Sequence, residues 1–144
     1  MQSKFNGSSG LVMMDPSIFS KSKLEELENR CNEILKSKDI KFVGVINNLG
    51  NLIAGGFGDD VEPLGNKDTR KMMYMQLKLD LNMREDYDEL YGPVRYVVSK
   101  RRDAKKISIP VGNYMILTIT QINFDDQKID EIISLFEPIL DSKP

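Results

Sequence analysis

The stretch Ile40 to Gly56, IKFVGVINNLGNLIAGG, limits what this chain can fold into more than any other. Extended, it places Ile40, Phe42, Gly44 and Ile46 on one face and Lys41, Val43, Val45 and Asn47 on the other. Val43 and Val45 make the second face apolar too. A strand apolar on both faces belongs inside a sheet that is covered on each side. Its β-branched residues favour strand over helix. Asn47, Asn48, Gly50 and Asn51 then supply residues that tolerate the positive φ of a tight turn. Leu52, Ile53 and Ala54 resume the extended pattern, and Gly55, Gly56 and Gly58 end it. The stretch predicts a hairpin with an interior first strand. Its glycines fit neither a Walker loop nor a dinucleotide fingerprint, so they read as turn residues rather than a phosphate cradle.

Composition narrows the function classes. The chain has 144 residues, enough for one domain with a real core, and 40% of them are hydrophobic, which argues against disorder throughout. The net charge of −2 imposes no need for nucleic acid or an anionic membrane. No apolar run approaches a bilayer span and no secretory signal opens the sequence, so a cytoplasmic protein is expected. The single cysteine, Cys31, fits a reducing compartment. It lies on an apolar helical stripe, where a small buried hydrophobe is the simpler reading than a reactive thiol. There is no histidine, which removes histidine-based triads and zinc sites together. No cofactor and no catalytic constellation is expected.

Along the chain, residues 1–14 are polar and carry NGSSG, reading as a flexible tail or an added leader; residues 15–144 read as a single domain. Ser22 with Glu25 suggests a capping box for a first helix, with Leu24, Leu27, Cys31, Ile34 and Leu35 at helical spacing. After the hairpin, Asp59, Asp60 and Glu62 crowd one loop. They lack the regular oxygen pattern of an EF-hand and read as a solvated acidic loop.

Asn66 or Asp68 caps the next segment, from about Thr69 to Leu90. Its centre, Met75 to Met83, alternates apolar and polar residues strictly, as a strand would. Residue type decides otherwise. Between Arg70 and Pro93 there is no Val, Ile or Thr, and Met, Leu, Gln, Lys and Glu favour helix. Met72, Met75, Leu79, Met83, Tyr87 and Leu90 follow helical spacing, and Leu77 and Leu81 widen the apolar surface beyond one stripe. Such a helix either buries a second face against a partner or is deeply buried in its own domain.

Val94 to Ser99 predicts a third strand, Ile107 and Ile109 a fourth ended by Pro110, and Tyr114 to Ile122 a fifth, with Gly112-Asn113 as a two-residue turn. Asp125 or Asp126 caps a last helix whose apolar face is Ile129, Ile132, Ile133, Phe136, Ile139 and Leu140. Between the third and fourth strands lies KRRDAKK. Lys100, Arg101, Arg102, Lys105 and Lys106, extended by Arg95, form a candidate anion site for nucleic acid, phospholipid or an acidic partner. The simpler reading, and the one favoured here, is a solvated hairpin tip whose charges protect a sheet edge.

The short links between strands make neighbours antiparallel. The fold class is therefore α+β: a five-stranded antiparallel sheet flanked by helices, in the order α-β-β-α-β-β-β-α. This order, with GVINNLGNLIAGG as its first hairpin, resembles the roadblock/dynein light chain family within the wider longin- and profilin-like group. YMQLKL and YGPVRYVVSKR also look like stretches of small uncharacterised archaeal proteins. The resemblance covers about Ser22 to Asp141 and implies a sheet with the first and fifth strands central. It further implies a non-enzymatic homodimer, a regulator or scaffold for small GTPases and larger assemblies. The implied dimer surface is Met72, Met75, Leu79 and Met83 on the second helix with Val94, Tyr96 and Val98 on the edge strand. The chain departs from that pattern in the basic hairpin after the edge strand, whose cations would face those of a symmetry mate. Nucleic-acid binding through that hairpin, and a small-ligand sensor with a pocket between sheet and second helix, are the alternative expectations.

Overall fold

The computed structural model describes residues 19–63 and 65–141. The tail expected over residues 1–14 lies outside the described residues. The elements are α1 (Lys21–Ile34), β1 (Ile40–Ile46), β2 (Leu52–Phe57), α2 (Lys67–Arg84), a 3-10 turn over Glu85–Tyr87, α3 (Asp88–Tyr91), β3 (Val97–Lys100), β4 (Lys105–Val111), β5 (Tyr114–Thr120), a second 3-10 turn over Asp126–Lys128, and α4 (Ile129–Leu140). The five strands form one sheet in the order β2-β1-β5-β4-β3, antiparallel at every junction. β1 and β5 are central, as their apolar faces require.

Two cores lie on the two faces of this sheet. Under α1 and α4, Leu27, Cys31, Val43, Val45, Ile109, Ile116, Ile132 and Phe136 pack together. Under α2, Phe42, Ile46, Tyr74, Leu81, Met115, Leu117 and Ile119 do so. Ile40 belongs to the first core, not to the Phe42 face that strict alternation assigns it. The register between β1 and β5 shifts between Ile40 and Phe42, and that irregularity turns Ile40 over.

Close approach explains Gly55. β2 does not end at Gly55 but runs to Phe57, whose ring meets Phe42 edge-on at 4.8 Å between centroids. Gly55 has φ +86°, and a Cβ there would lie 2.2 Å from the Val43 carbonyl oxygen and 2.9 Å from Cys31 Sγ. Only glycine lets α1 come this near, and the Gly55 N–H donates to Glu28 Oε1 at 3.0 Å. In the turn, Asn47 Oδ1 accepts from the Leu49 and Asn51 N–H groups, both at 3.0 Å.

The helix caps differ from expectation in one place. Ser20, not Ser22, caps α1, its hydroxyl accepting from the Lys23 N–H at 3.3 Å while Ser22 lies inside the helix. Asn66 caps α2 through the Thr69 N–H at 2.8 Å, and Asp125 caps the turn leading into α4. Among the described residues no helix is long and apolar enough to cross a membrane.

Candidate functional site

A strictly alternating apolar pattern has a particular outcome on a helix. Residues two apart are separated by about 200° around the axis, so the pattern splits into two stripes on opposite sides. That is the arrangement of α2. Met73, Leu77 and Leu81, with Tyr74, pack onto the sheet. Met72, Met75, Leu79 and Met83 face outward, with Met83 70% exposed. The outward stripe continues through Tyr87 and Leu90, the latter 73% exposed, to Tyr91 on α3. Gly92, at φ +82°, then ends α3.

The inward stripe contains a residue that sequence reasoning passed over. Lys78 is only 6% exposed and lies one turn from both Tyr74 and Leu81. Its ammonium donates to Asn82 Oδ1 at a long 3.4 Å. Burial lowers its pKa, and the Glu85 carboxylate opposes part of that shift. Its i+4 and i−3 spacing to Tyr74 and Leu81 was the signal for its burial. In the same layer between sheet and α2, Phe42 stacks with Tyr74 at 6.0 Å, and burial pushes the Tyr74 phenol up despite the nearby Arg70.

Among the described residues β3 is an edge strand, paired only to β4. Regular pairing begins at Val97, not Val94, because residues 92–96 are irregular. The alternation therefore does not carry through. Val94 and Val97 pack on the α2 side of the sheet, whereas Val98 packs on the α1/α4 side. Tyr96 is exposed beside the edge. Met72, Met75, Leu79, Met83 and Tyr96 are thus presented to solvent, while Val94 and Val98 are half-buried on opposite faces.

The basic hairpin is less concentrated than its sequence. Lys105 is buried, and its ammonium donates to the Phe124 carbonyl and to Asp126 Oδ1, both at 2.9 Å. It pins β4 to the lead-in of α4 and presents no charge to solvent. Lys106 is half-buried, with its pKa lowered by burial and then by Arg101. Arg102 pairs with Asp103 at 3.1 Å and Arg95 with Asp130 at 3.4 Å, both on the surface. Lys100, Arg101 and Arg102 remain exposed.

Elsewhere, Cys31 is fully buried, and its thiol is pushed up to about 12 by burial and by Glu28, so it packs as an apolar group. Asp59, Asp60 and Glu62 lie in the loop after β2, and among the described residues no group of three or more His, Cys, Asp or Glu could hold a metal ion. A shallow groove of about 410 Å³ runs between α1 and Ile53, lined by Leu24, Glu25 and Glu28.

A central β1/β5 pair, α2 on one face and α1 with α4 on the other define a roadblock-like member of the profilin-like α+β folds. The chain is similar in fold to the gliding protein MglB from Thermus thermophilus, with a TM-score of 0.70 at 11% identity, covering 88% of this chain and 98% of that one. It is similar to the roadblock/LC7 domain from Streptomyces avermitilis, with a TM-score of 0.61 at 11% identity, covering 81% and 98%. Profilin IA of Acanthamoeba castellanii matches with a TM-score of 0.53 at 8% identity, covering 82% and 95%. By sequence the chain belongs to the family of unknown function DUF6659, whose profile matches residues 19–137. No curated protein matches it by sequence.

Proposed function

We propose that this chain is a non-catalytic protein-interaction module of the cytoplasm. It self-associates as a homodimer and acts as a regulatory or scaffolding subunit for small-GTPase-type partners. The observation that carries this reading is the outward stripe of α2. Met72, Met75, Leu79 and Met83 are exposed on one side of a helix that buries a lysine on the other. Apolar surface left in water on this scale marks an interaction site, and methionines suit it because they adapt to the facing surface. β3 closes the sheet on the other side of β4, and among the described residues its outer edge pairs with no strand. Fold relatives support the assembly part of the reading: a solved form of MglB has a tetrameric arrangement.

The test is sedimentation equilibrium across a wide concentration range. A concentration-dependent dimer is expected, lost in Met83→Glu, at a position 70% exposed, and in Tyr96→Asp. A monomer at every concentration in the unmutated chain rejects the reading. Affinity capture from the native cell, with the captured proteins identified by mass spectrometry, tests the partner class: recovery of a small GTPase supports it, and its absence from every eluate argues against it.

A further inference from the structure

The sheet has a second edge, β2, and α1 runs along it in the same direction. Leu24 and Ile53 share the shallow groove beside the strand. Glu28 reaches Gly55, and a Cβ on Gly58 would lie 3.9 Å from Leu35. Among the described residues β2 pairs only with β1. The ladder fixes which backbone groups face outward. The Gly58 N–H donates inward, to the Lys41 carbonyl at 3.0 Å. Gly56, two residues back, faces β1 as well, so Gly55 and Phe57 turn their N–H and C=O groups to the open side. There the Gly55 N–H is met by the Glu28 carboxylate, which stands where a neighbouring strand would place a carbonyl. Next to it a Cβ on Gly56 would meet nothing within 4 Å. Glycine within a strand suits the close approach of another backbone.

The two sides of this edge differ in charge. On the α1 side, Glu25 and Glu28 line the groove around Leu24, with Lys21 also on its rim. Asp59 and Asp60, both exposed, follow the strand. On the α2 side, Lys71 donates to Asn51, and Arg70 lies over the Phe57 ring at 5.9 Å. An extended segment laid along β2 alternates its side chains between these two sides. Those facing α1 meet carboxylates and an apolar floor; those facing α2 meet cations. We propose that β2 accepts an extended segment of a partner protein as an added strand, with an apolar residue in the Leu24–Ile53 groove and flanking cations at Glu25 and Glu28. Backbone pairing with Gly55 and Phe57 supplies affinity, and the alternate side chains supply selection. As the partner's carbonyl takes the Gly55 N–H, the Glu28 carboxylate is released to a cation. The proposal does not rest on the dimer reading, because β2 and β3 lie at opposite edges of the sheet.

The experiment is an amide NMR titration of the full-length chain with end-blocked peptides. The probe TKTVTKT puts lysine, valine and lysine on one face of an extended strand. It is expected to shift the Gly55 and Phe57 amides and to saturate. TETVTET is expected to bind about tenfold more weakly or worse. The probe N-methylated on two adjacent central amides loses an N–H from each edge of its strand, and is expected to leave the β2 amides unmoved. Glu25→Gln/Glu28→Gln, at two exposed positions, removes the charge and keeps a side-chain acceptor for Gly55. It is expected to weaken TKTVTKT about tenfold and to leave the neutral TSTVTST unchanged. Equal affinity for the lysine and glutamate peptides overturns the proposal. So does binding that survives N-methylation, a shift confined to residues away from β2, or no shift with any peptide. If the double variant does not fold, the peptide series on the unmutated chain decides. A chain that stays monomeric yet binds TKTVTKT at β2 rejects the dimer reading and leaves this one standing.

Discussion

α4 and α2 cover opposite faces of the same sheet and treat their apolar residues in opposite ways. α4 buries Ile129, Ile132, Ile133, Phe136, Ile139 and Leu140. α2 buries Tyr74, Lys78 and Leu81 and leaves Met72, Met75, Leu79 and Met83 outside. The first helix is shaped by its own domain. The second has more apolar surface than its domain uses, and accepts a buried ammonium while methionines stand in water. Burying an amine with so little hydrogen bonding is unfavourable. A helix selected only for packing on this sheet would exchange those positions.

The largest effect separating the two helices is in the α4 core. Phe136 is fully buried, and Phe136→Ala is expected to remove about 3–5 kcal/mol, read as a lower midpoint in denaturant unfolding. A matched pair within α2 comes next. Leu81→Ala is expected to lower stability by about 3 kcal/mol, because the side chain is packed under the helix. Leu79→Ala, the same change two residues away on the outward side, is expected to shift the dilute protein by less than about 0.5 kcal/mol. Equal losses at the two positions break the comparison.

Lys78 gives a smaller effect of opposite sign. Lys78→Met is expected to stabilise the fold by about 1 kcal/mol, roughly 3 °C in Tm. The pH dependence follows from the lowered amine pKa. The unfolded chain holds the proton more tightly than the folded one, so stability rises with pH between the folded value and the ordinary 10.5. Below that interval the whole penalty is present, and above it none remains. The gain from Lys78→Met is therefore full near neutrality, shrinks as pH rises from the lowered folded value toward 10.5, and is gone above it; a gain independent of pH would show that desolvation of the ammonium is not its source.

The sequence carried the fold well where one residue type or period dominated. β-branched runs marked β1 and β5, Gly112-Asn113 marked the hairpin between β4 and β5, and the lack of Val, Ile and Thr settled α2 as helix. What escaped it were choices between equal local options. Ser20 and Ser22 are both competent caps, and only the chain path selects Ser20. The alternation in α2 creates two comparable stripes, so which one meets the sheet depends on the aromatic layer of Phe42 and Tyr74. The start of β3 at Val97 and the turned-over Ile40 come from irregular backbone with no residue signature. Lys105 finds its carboxylate partner in Asp126, far along the chain, so its loss from the basic hairpin had no local sign.

The central claim is that the outward stripe of α2 is an interface between copies. Sedimentation equilibrium of the unmutated chain beside Met83→Glu tests it most directly. The account predicts a dimer whose population rises with concentration in the first and a folded monomer in the second. A monomer in both, or an equally tight dimer in both, would contradict it.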